Sequence, residues 1–485
     1  MKLKQNILGV LIMAGSFGLS AATSVFAQIQ TSDWNRFRGP NGNGVVEAAE
    51  IPIEFGPQKN LVWKTNLPKG YSSPVLQAGR IFLTTEEDQK LFTICLDQSD
   101  GHELWRQQAP RDRTEKLDHR NHPAAASPVV DGDELFVFFP DYGLIAYQVD
   151  GTEKWRRPLG PFTNIYGMGA SPIVSDGLVI LICDQNLDSF IAAFDRITGN
   201  VVWKTPREEA TSGHCSPIIY QPSPEKPAQV LAVGSFNLTS YDVKSGQKLW
   251  WVGGLSFEMK STPVMNRDTV FVNGFGSPEN EVDQNFEVAE FSRVVADKDA
   301  DGNHLLSLNE MPDELAQGFF PAVDLDNNGS LTEKEWNYFR ASIKSKNSMM
   351  AIRLGGEGDM TAQNTRWKYH KNIPQLPSPL LVGNQLLMIS DSGVVTSLNP
   401  ETGVVQYKGR LPGAAGDVYA SPVAAGNKIF FATTAGKIAV VAAGEKLDVL
   451  AVNDLGEGIF ATPAVVDNRL FVRTDAALYC FGAAR

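Results

Sequence analysis

A Ser-Pro or Thr-Pro dipeptide opens an apolar, alternating run eight times, at Ser73-Pro74, Ser127-Pro128, Ser171-Pro172, Ser216-Pro217, Thr262-Pro263, Ser378-Pro379, Ser421-Pro422 and Thr462-Pro463. The steps between them are 54, 44, 45, 46, 116, 43 and 41 residues. Self-similarity of this period restricts the chain to a repeat architecture. Proline at the first residue of a strand removes no ladder hydrogen bond, so the dipeptides mark strand starts. The third unit shows the grammar. Pro172-Ile173-Val174 leads to a turn at Asp176-Gly177, then to Leu178 to Ile182, to Phe190 to Phe194, to a second turn from Asp195 to Gly199, and to Val201-Val202-Trp203. Four short strands joined by Gly and Asp turns within about 45 residues make a propeller blade.

The turn and its tryptophan recur at Asp97, Gly101 and Trp105 and at Asp242, Gly246 and Trp250, while the sixth unit keeps Asn399 and Gly403 but carries Tyr407. Repeated position implies repeated packing, so the tryptophans are expected between blades. The sequence therefore predicts an all-β chain, an eight-bladed β-propeller of four-stranded blades. The last unit ends at Leu478 to Phe481 without a fourth strand, whereas Leu61-Val62-Trp63-Lys64 stands unassigned before the first. This strand is expected to complete the last blade and close the ring, which removes an open sheet edge.

The one overlong step predicts a small α-helical insertion in blade five, residues 277–347. The propeller proper is assigned to 61–276 and 348–485. The insertion holds 15 acidic and 6 basic residues, a net of −9, and a helical stretch is expected from Phe286 to Val295. Its helices are expected to be short, broken by Pro312 and Pro321. From Asp324 to Glu335 every position of a twelve-residue EF-hand calcium loop is filled. Asp324, Asp326 and Asn328 supply side-chain oxygens, Gly329 the sharp turn, Ser330 a backbone carbonyl, Thr332 a water-mediated contact and Glu335 a bidentate carboxylate. A second loop, read from Asp299, offers Asp299, Asp301, Asn303, the carbonyl of Leu305, Ser307 and Glu310, with His304 in place of the turn glycine. A non-glycine residue at positive φ is strained, so this first loop is expected to bind more weakly. Calcium is the expected cofactor.

Lys2 and Lys4, an apolar run from Ile7 and small residues up to Ala27 read as a secretory signal peptide, residues 1–27, followed by an N-terminal arm, 28–60. No transmembrane segment is expected after cleavage, and the expected location is periplasmic or secreted. A net charge of −12 argues against nucleic acid as partner. Cys95, Cys183, Cys215 and Cys480 form no CxxC or vicinal pair and read as small buried apolar groups, with a Cys183–Cys215 bridge left open. His119, His122 and His214 fall on loops leading to one rim. Their ordinary reading is loop hydrogen bonding, and metal ligation would need a further converging ligand.

The strand starts, Ala193-Phe194-Asp195 with Thr198-Gly199 and Trp203, and their equivalents resemble the PQQ-like β-propeller repeat family, which includes outer-membrane assembly factors of the BamB type. The opening Asp33-Trp34-Asn35-Arg36-Phe37-Arg38-Gly39-Pro40, with Gly42 and Gly44, and the segment Asp150 to Trp155 resemble a secreted bacterial branch of it. The resemblance is specific for fold and weak for function. It raises the reading of a quinoprotein dehydrogenase, using pyrroloquinoline quinone beside an axial calcium. Such enzymes generally carry a vicinal Cys-Cys, which this chain lacks, so the quinone is not expected. The favoured reading is a calcium-binding propeller that binds or scaffolds another protein or an envelope ligand without catalysis. The alternative is an enzyme with its site at the channel mouth.

Overall fold

The computed structural model describes residues 33–47, 49–414 and 416–483; the expected signal peptide lies outside them. The chain forms eight consecutive antiparallel sheets, each starting at one of the Ser/Thr-Pro dipeptides, and these are the blades of a closed propeller. Blade 3 is representative, with strands Ile173–Ser175, Leu178–Cys183, Phe190–Asp195 and Val201–Pro206 from axis to rim. Its second strand, Leu-Val-Ile-Leu-Ile-Cys, is buried at every position because blades pack on both of its faces, so alternation disappears there. Its outer strand is half exposed. Phe136 and Phe138 of blade 2 interleave with Val179 and Leu181 of blade 3, and similar apolar layers follow around the ring.

The tryptophans pack between blades, as their repetition predicts. A Cβ on Gly199 would lie 2.6 Å from the Trp155 ring, so only glycine permits this close approach. Trp155 Nε1 also donates to the Arg196 carbonyl at 2.9 Å, in the turn that carries Gly199. Trp63, Trp105, Trp203 and Trp367 repeat this arrangement on the turn of the next blade. Trp250 differs. Gly358–Asp359 pairs with Trp250 and Trp251 as a fifth strand of blade 4, and Trp250 Nε1 donates to the Gln229 side chain. Blade 7 gains a fifth strand too, so two blades depart from the expected four-stranded pattern.

The hydroxyls of the strand-start residues bind the blades together at the axis. Ser73 N–H donates to Ser127 Oγ, Ser127 to Ser171, Ser171 to Ser216, Thr262 to Ser378, Ser378 to Ser421, Ser421 to Thr462, and Thr462 back to Ser73, all at 2.9–3.0 Å. Pro occupies the next position in every unit, so the Ser/Thr is the last residue that can supply an N–H there. Ser171→Ala is expected to lower stability by about 1–3 kcal/mol, because the buried Ser127 N–H loses its acceptor. A shifted denaturation midpoint at unchanged slope would report it.

Leu61–Asn66 pairs antiparallel with Ala477–Phe481 and forms the outer strand of blade 8, which closes the ring as expected. The arm before it does more than extend. Trp34 is fully buried and bridges Leu76 of blade 1, Asn35 accepts from Val130 of blade 2, and Asn41 exchanges two 2.8 Å hydrogen bonds with Ile219 of blade 4. Arg36 and Arg38 reach the carbonyls of Pro217 and Pro379, and Val45–Val46 pairs parallel with blade 7. The arm thus touches inner strands around the ring and crosses the channel. Burial pulls the guanidinium of Arg36 down to about 10 and that of Arg38 down to about 9. Between blades 3 and 4, fully buried Asp184 holds Arg207 through two hydrogen bonds, and Arg207 also donates to Tyr241 at 3.0 Å.

Between Thr269–Gly274 and Ser348–Arg353, which are cross-strand partners in blade 5, the chain leaves the sheet. It forms helices α1 (Phe291–Lys298), α2 (Glu314–Val323) and α3 (Glu333–Lys344) around a core of Val294, Leu306, Phe320, Leu331, Trp336 and Phe339. The helix expected from Phe286 starts later, at Phe291. The preceding carbonyls are taken by tertiary partners, Ala289 by Trp336 Nε1 and Val288 by Arg340. Pro321 does not end α2 but sits in its last turn, where the unmatched carbonyl belongs to exposed Gln317. Among the described residues no helix is long and apolar enough to cross a membrane.

Candidate functional site

Two places gather polar chemistry. The first is the pair of acidic loops in the insertion. Carboxylate oxygens of Asp299, Asp301 and Glu310 lie within 4.8 Å of one another, and so do those of Asp324, Asp326 and Glu335. Leu306–Ser307 and Ser330–Leu331 pair antiparallel, with Leu306 opposite Leu331, each eighth in its loop counted from Asp299 and Asp324. The loops share most of their hydrogen bonds. Asp299 accepts from His304 N–H at 3.0 Å as Asp324 does from Gly329 at 2.9 Å. Leu305 N–H donates to the Asn303 side chain as Ser330 N–H does to Asn328. Glu310 accepts from Ala300 and Ser307 as Glu335 accepts from Leu325 and Thr332, all at 2.8–2.9 Å. His304 takes φ 61° where Gly329 has φ 85°, so the first loop keeps its shape at the expense of backbone strain.

The second place is the channel. A cavity of about 210 Å³ sits on the axis above Phe37 of the arm and the Ser/Thr hoop. Its wall has a simple origin in the repeat. The residue two places before each strand-start Ser/Thr lines it: Tyr71, Ala125, Gly169, His214, Lys260, Leu376, Tyr419 and Phe460. Sequence reading noted the dipeptides but not this position, although the register that located the blades also locates the wall. The eight residues are unlike. Tyr419, Phe460 and Tyr71 form an aromatic side, with Tyr71 and Phe460 stacked at 4.5 Å and 13°. Across the ring stand His214 and Lys260, and between the two sides Ala125 and Gly169 leave room for Arg120, Asn121 and Tyr166.

Both cations at the cavity are matched. Arg120 is bidentate to Asp118 at 2.7 and 3.1 Å, and Lys260 pairs with Glu258, which also accepts from the Tyr166 hydroxyl at 3.0 Å. Tyr166 lies beneath both, 5.1 Å from Arg120 and 5.2 Å from Lys260. His214 Nε2 is buried without a partner. The three histidines of the sequence reading do not converge. His119 is exposed beside Asp118, His122 packs against Tyr71, and His214 lines the cavity. The four cysteines are buried and unpaired, so the Cys183–Cys215 bridge is absent.

Burial holds the imidazoles of His122 and His214 neutral, pushed down to about 3, with neighbouring cations adding to the effect. An unfolded chain protonates them near pH 6.5. A histidine depressed in the folded state contributes stability above that pH and loses it as pH falls. The melting temperature is therefore expected to drop already between pH 6.5 and 5, above the range where ordinary carboxylates titrate, and His122→Gln should flatten that slope.

Residues 56–166, 94–284 and 359–484 match the family described as outer membrane protein assembly factor BamB, a match that passes over the three helices of the insertion. No curated protein matches the sequence. Three solved structures share the fold. BamB from Moraxella catarrhalis is 13% identical, with 88% of this chain and 98% of that chain covered at a TM-score of 0.54. The computationally designed Ika8 protein is 10% identical over 87% and 99%, at 0.53. The quinohemoprotein alcohol dehydrogenase ADHIIG from Pseudomonas putida HK5 is 11% identical over 94% and 81%, at 0.54. With more than half of its residues matched and eight blades in the ring, this chain belongs to the BamB family of PQQ-like β-propellers.

Proposed function

We propose that this chain is a calcium-binding propeller of the periplasm or the secreted fraction, which binds or scaffolds another protein or an envelope ligand without catalysis. The observation that carries the reading is the pair of loops whose carboxylates converge with largely shared hydrogen bonds. Three carboxylates at one point repel one another, and a divalent cation relieves that. In the second loop Asp324, Asp326, Asn328, the Ser330 carbonyl and Glu335 would hold it, with Thr332 acting through water. In the first, Asp299, Asp301, Asn303, the Leu305 carbonyl, Ser307 and Glu310 would do so. This is an EF-hand pair fixed to the rim. Asn186 of blade 3 donates to the Leu325 carbonyl at 3.2 Å, Thr211 bonds Tyr338 of α3, and Tyr338 packs edge-on against Phe236. Calcium held there would stabilise the module and its contact with the propeller.

Pyrroloquinoline quinone does not fit the channel as built. A tricarboxylate needs unclaimed cations, yet Arg120 and Lys260 each already hold a carboxylate, and none of the four cysteines lines the cavity. Calorimetric titration with calcium tests the proposal. Two unequal sites are expected, the tighter one in the loop with Gly329. Glu335→Gln should cost that site about 2 kcal/mol, roughly thirtyfold in affinity. Glu310→Gln should act on the weaker site. Absence of heat in the millimolar range, or loss of the tighter site on Glu310→Gln instead, would refute it.

A further inference from the structure

We propose that the axial cavity binds an uncharged, hydroxyl-rich ligand about the size of one sugar ring. The inference extends the non-catalytic binding reading to the channel and does not depend on calcium.

The wall is built from one repeat position that carries seven residue types in eight blades. A channel that only needed filling would be served by repeating one apolar side chain, as the tryptophan position repeats between blades. Here an aromatic side of Tyr419, Phe460 and Tyr71 faces a polar side of His214 and Lys260, and small Ala125 and Gly169 let Arg120, Asn121 and Tyr166 reach the wall without closing the cavity. Such a cavity suits a ligand with apolar C–H surface on one side and polar groups on the other.

Its electrostatics select against charge. Arg120 with Asp118 and Lys260 with Glu258 sum to zero, and His214 is neutral above about pH 3 through burial and the nearby Lys260. An anionic ligand would meet the Asp118 carboxylate at the wall and find both basic groups already engaged, and a cationic one would meet both basic groups. What remains available is hydrogen-bonding capacity. Ser73, Ser127, Ser171 and Ser216 line the cavity, and each hydroxyl oxygen accepts one backbone N–H in the hoop. An oxygen that accepts from the backbone still has its own proton to donate. His214 Nε2 lacks any partner, and a buried polar atom without one is costly unless something else supplies it. Asn121 and Gln375 add amide groups at the wall. The volume of about 210 Å³ lies below that of typical drug-sized sites, which limits the occupant to a single small ring.

The test is binding to the mature chain of D-glucose, D-galactose and D-mannose, with glucose 6-phosphate, D-gluconate and pyrroloquinoline quinone as charged comparisons, followed by saturation-transfer NMR and calorimetry. At least one neutral sugar is expected to bind in the millimolar range or tighter. Ala125→Phe and, separately, Gly169→Leu should project into the cavity and weaken binding by at least about tenfold. Gly169 has no positive φ, and a Cβ there meets the His214 ring at an ordinary 3.5 Å, so this second variant is expected to fold even where the first does not. Melting curves identify folded variants. The proposal is overturned if none of the three sugars binds, if binding survives in whichever variant folds, or if a charged ligand binds more tightly than every neutral one. Calcium titration of the same preparations keeps the outcomes separate, since the loops stand in the insertion and not in the channel.

Discussion

A chain that begins at Leu67 is expected not to reach a stable fold. It would lack the outer strand of blade 8, and Ala477–Phe481 would expose its edge along the ladder that Leu61–Asn66 now fills. It would also lose the buried side chains of Trp34, Ile51, Phe55 and Trp63. Burying each such side chain contributes about 1.5–3 kcal/mol, so the four together amount to about 6–12 kcal/mol. That is comparable to the whole stability of an ordinary domain, about 5–15 kcal/mol. The expected result is a soluble aggregate or a chain without a cooperative melt, and Trp63→Ala alone should cost about 3–5 kcal/mol. A truncated protein that melts with the full-length one would show that the ring does not depend on its N-terminal strand.

Replacing Arg207 by methionine is expected to destabilise the protein by about 3–5 kcal/mol, because Asp184 would be left as an unpaired charge between blades 3 and 4. Burial lowers the Arg207 guanidinium, but the Asp184 carboxylate more than offsets this and the net shift is well upward. Burial already pushes the Asp184 carboxyl up against the opposing pull of Arg207, and without Arg207 it rises further, with Glu209 adding to the effect. A carboxyl raised in the folded state contributes stability below its unfolded value and loses it as pH rises. The deficit relative to wild type should therefore shrink as pH falls towards 4. Asp184→Leu combined with Arg207→Met should recover much of the loss, since two well-packed apolar groups often replace a buried pair without penalty. Equal losses for the single and the double variant, measured by denaturant unfolding, would contradict this account.

The architecture was readable because its signals are local and repeated. A proline can open a strand but not continue one, so eight dipeptides count eight blades, and a missing fourth strand at one end points to a spare strand at the other. The acidic loops were readable for the same reason, their spacing being contained in twelve residues. Tertiary partners hid the rest. Residues 286–290 have helical composition, yet Trp336 and Arg340 claim the carbonyls of Ala289 and Val288. The Asp184–Arg207 pair joins the ends of two strands of blade 3 that lie 23 residues apart in the chain, and it leaves no local mark. The channel wall is a middle case. Its residues stand at a fixed offset from the dipeptides, but Tyr, Ala, Gly, His, Lys, Leu and Phe share no chemistry, and only the ring shows that they face one another.

The insertion leaves the sheet at Gly274 and returns at Ser348, and these two residues are opposite each other on neighbouring strands. Asn347 donates to the Ser277 carbonyl and accepts from Gly276, and Asn280 holds the carbonyls of Ser342 and Ser345, so the entry and exit are fastened together. Elsewhere in the propeller a turn of a few residues does this job. A segment whose two ends meet adds no open loop to the blade, and so its closure entropy is not charged against the ring. In evolutionary terms this is a graft point: a whole folded unit can be gained, exchanged or discarded at one hairpin tip while the register of every blade stays as it was.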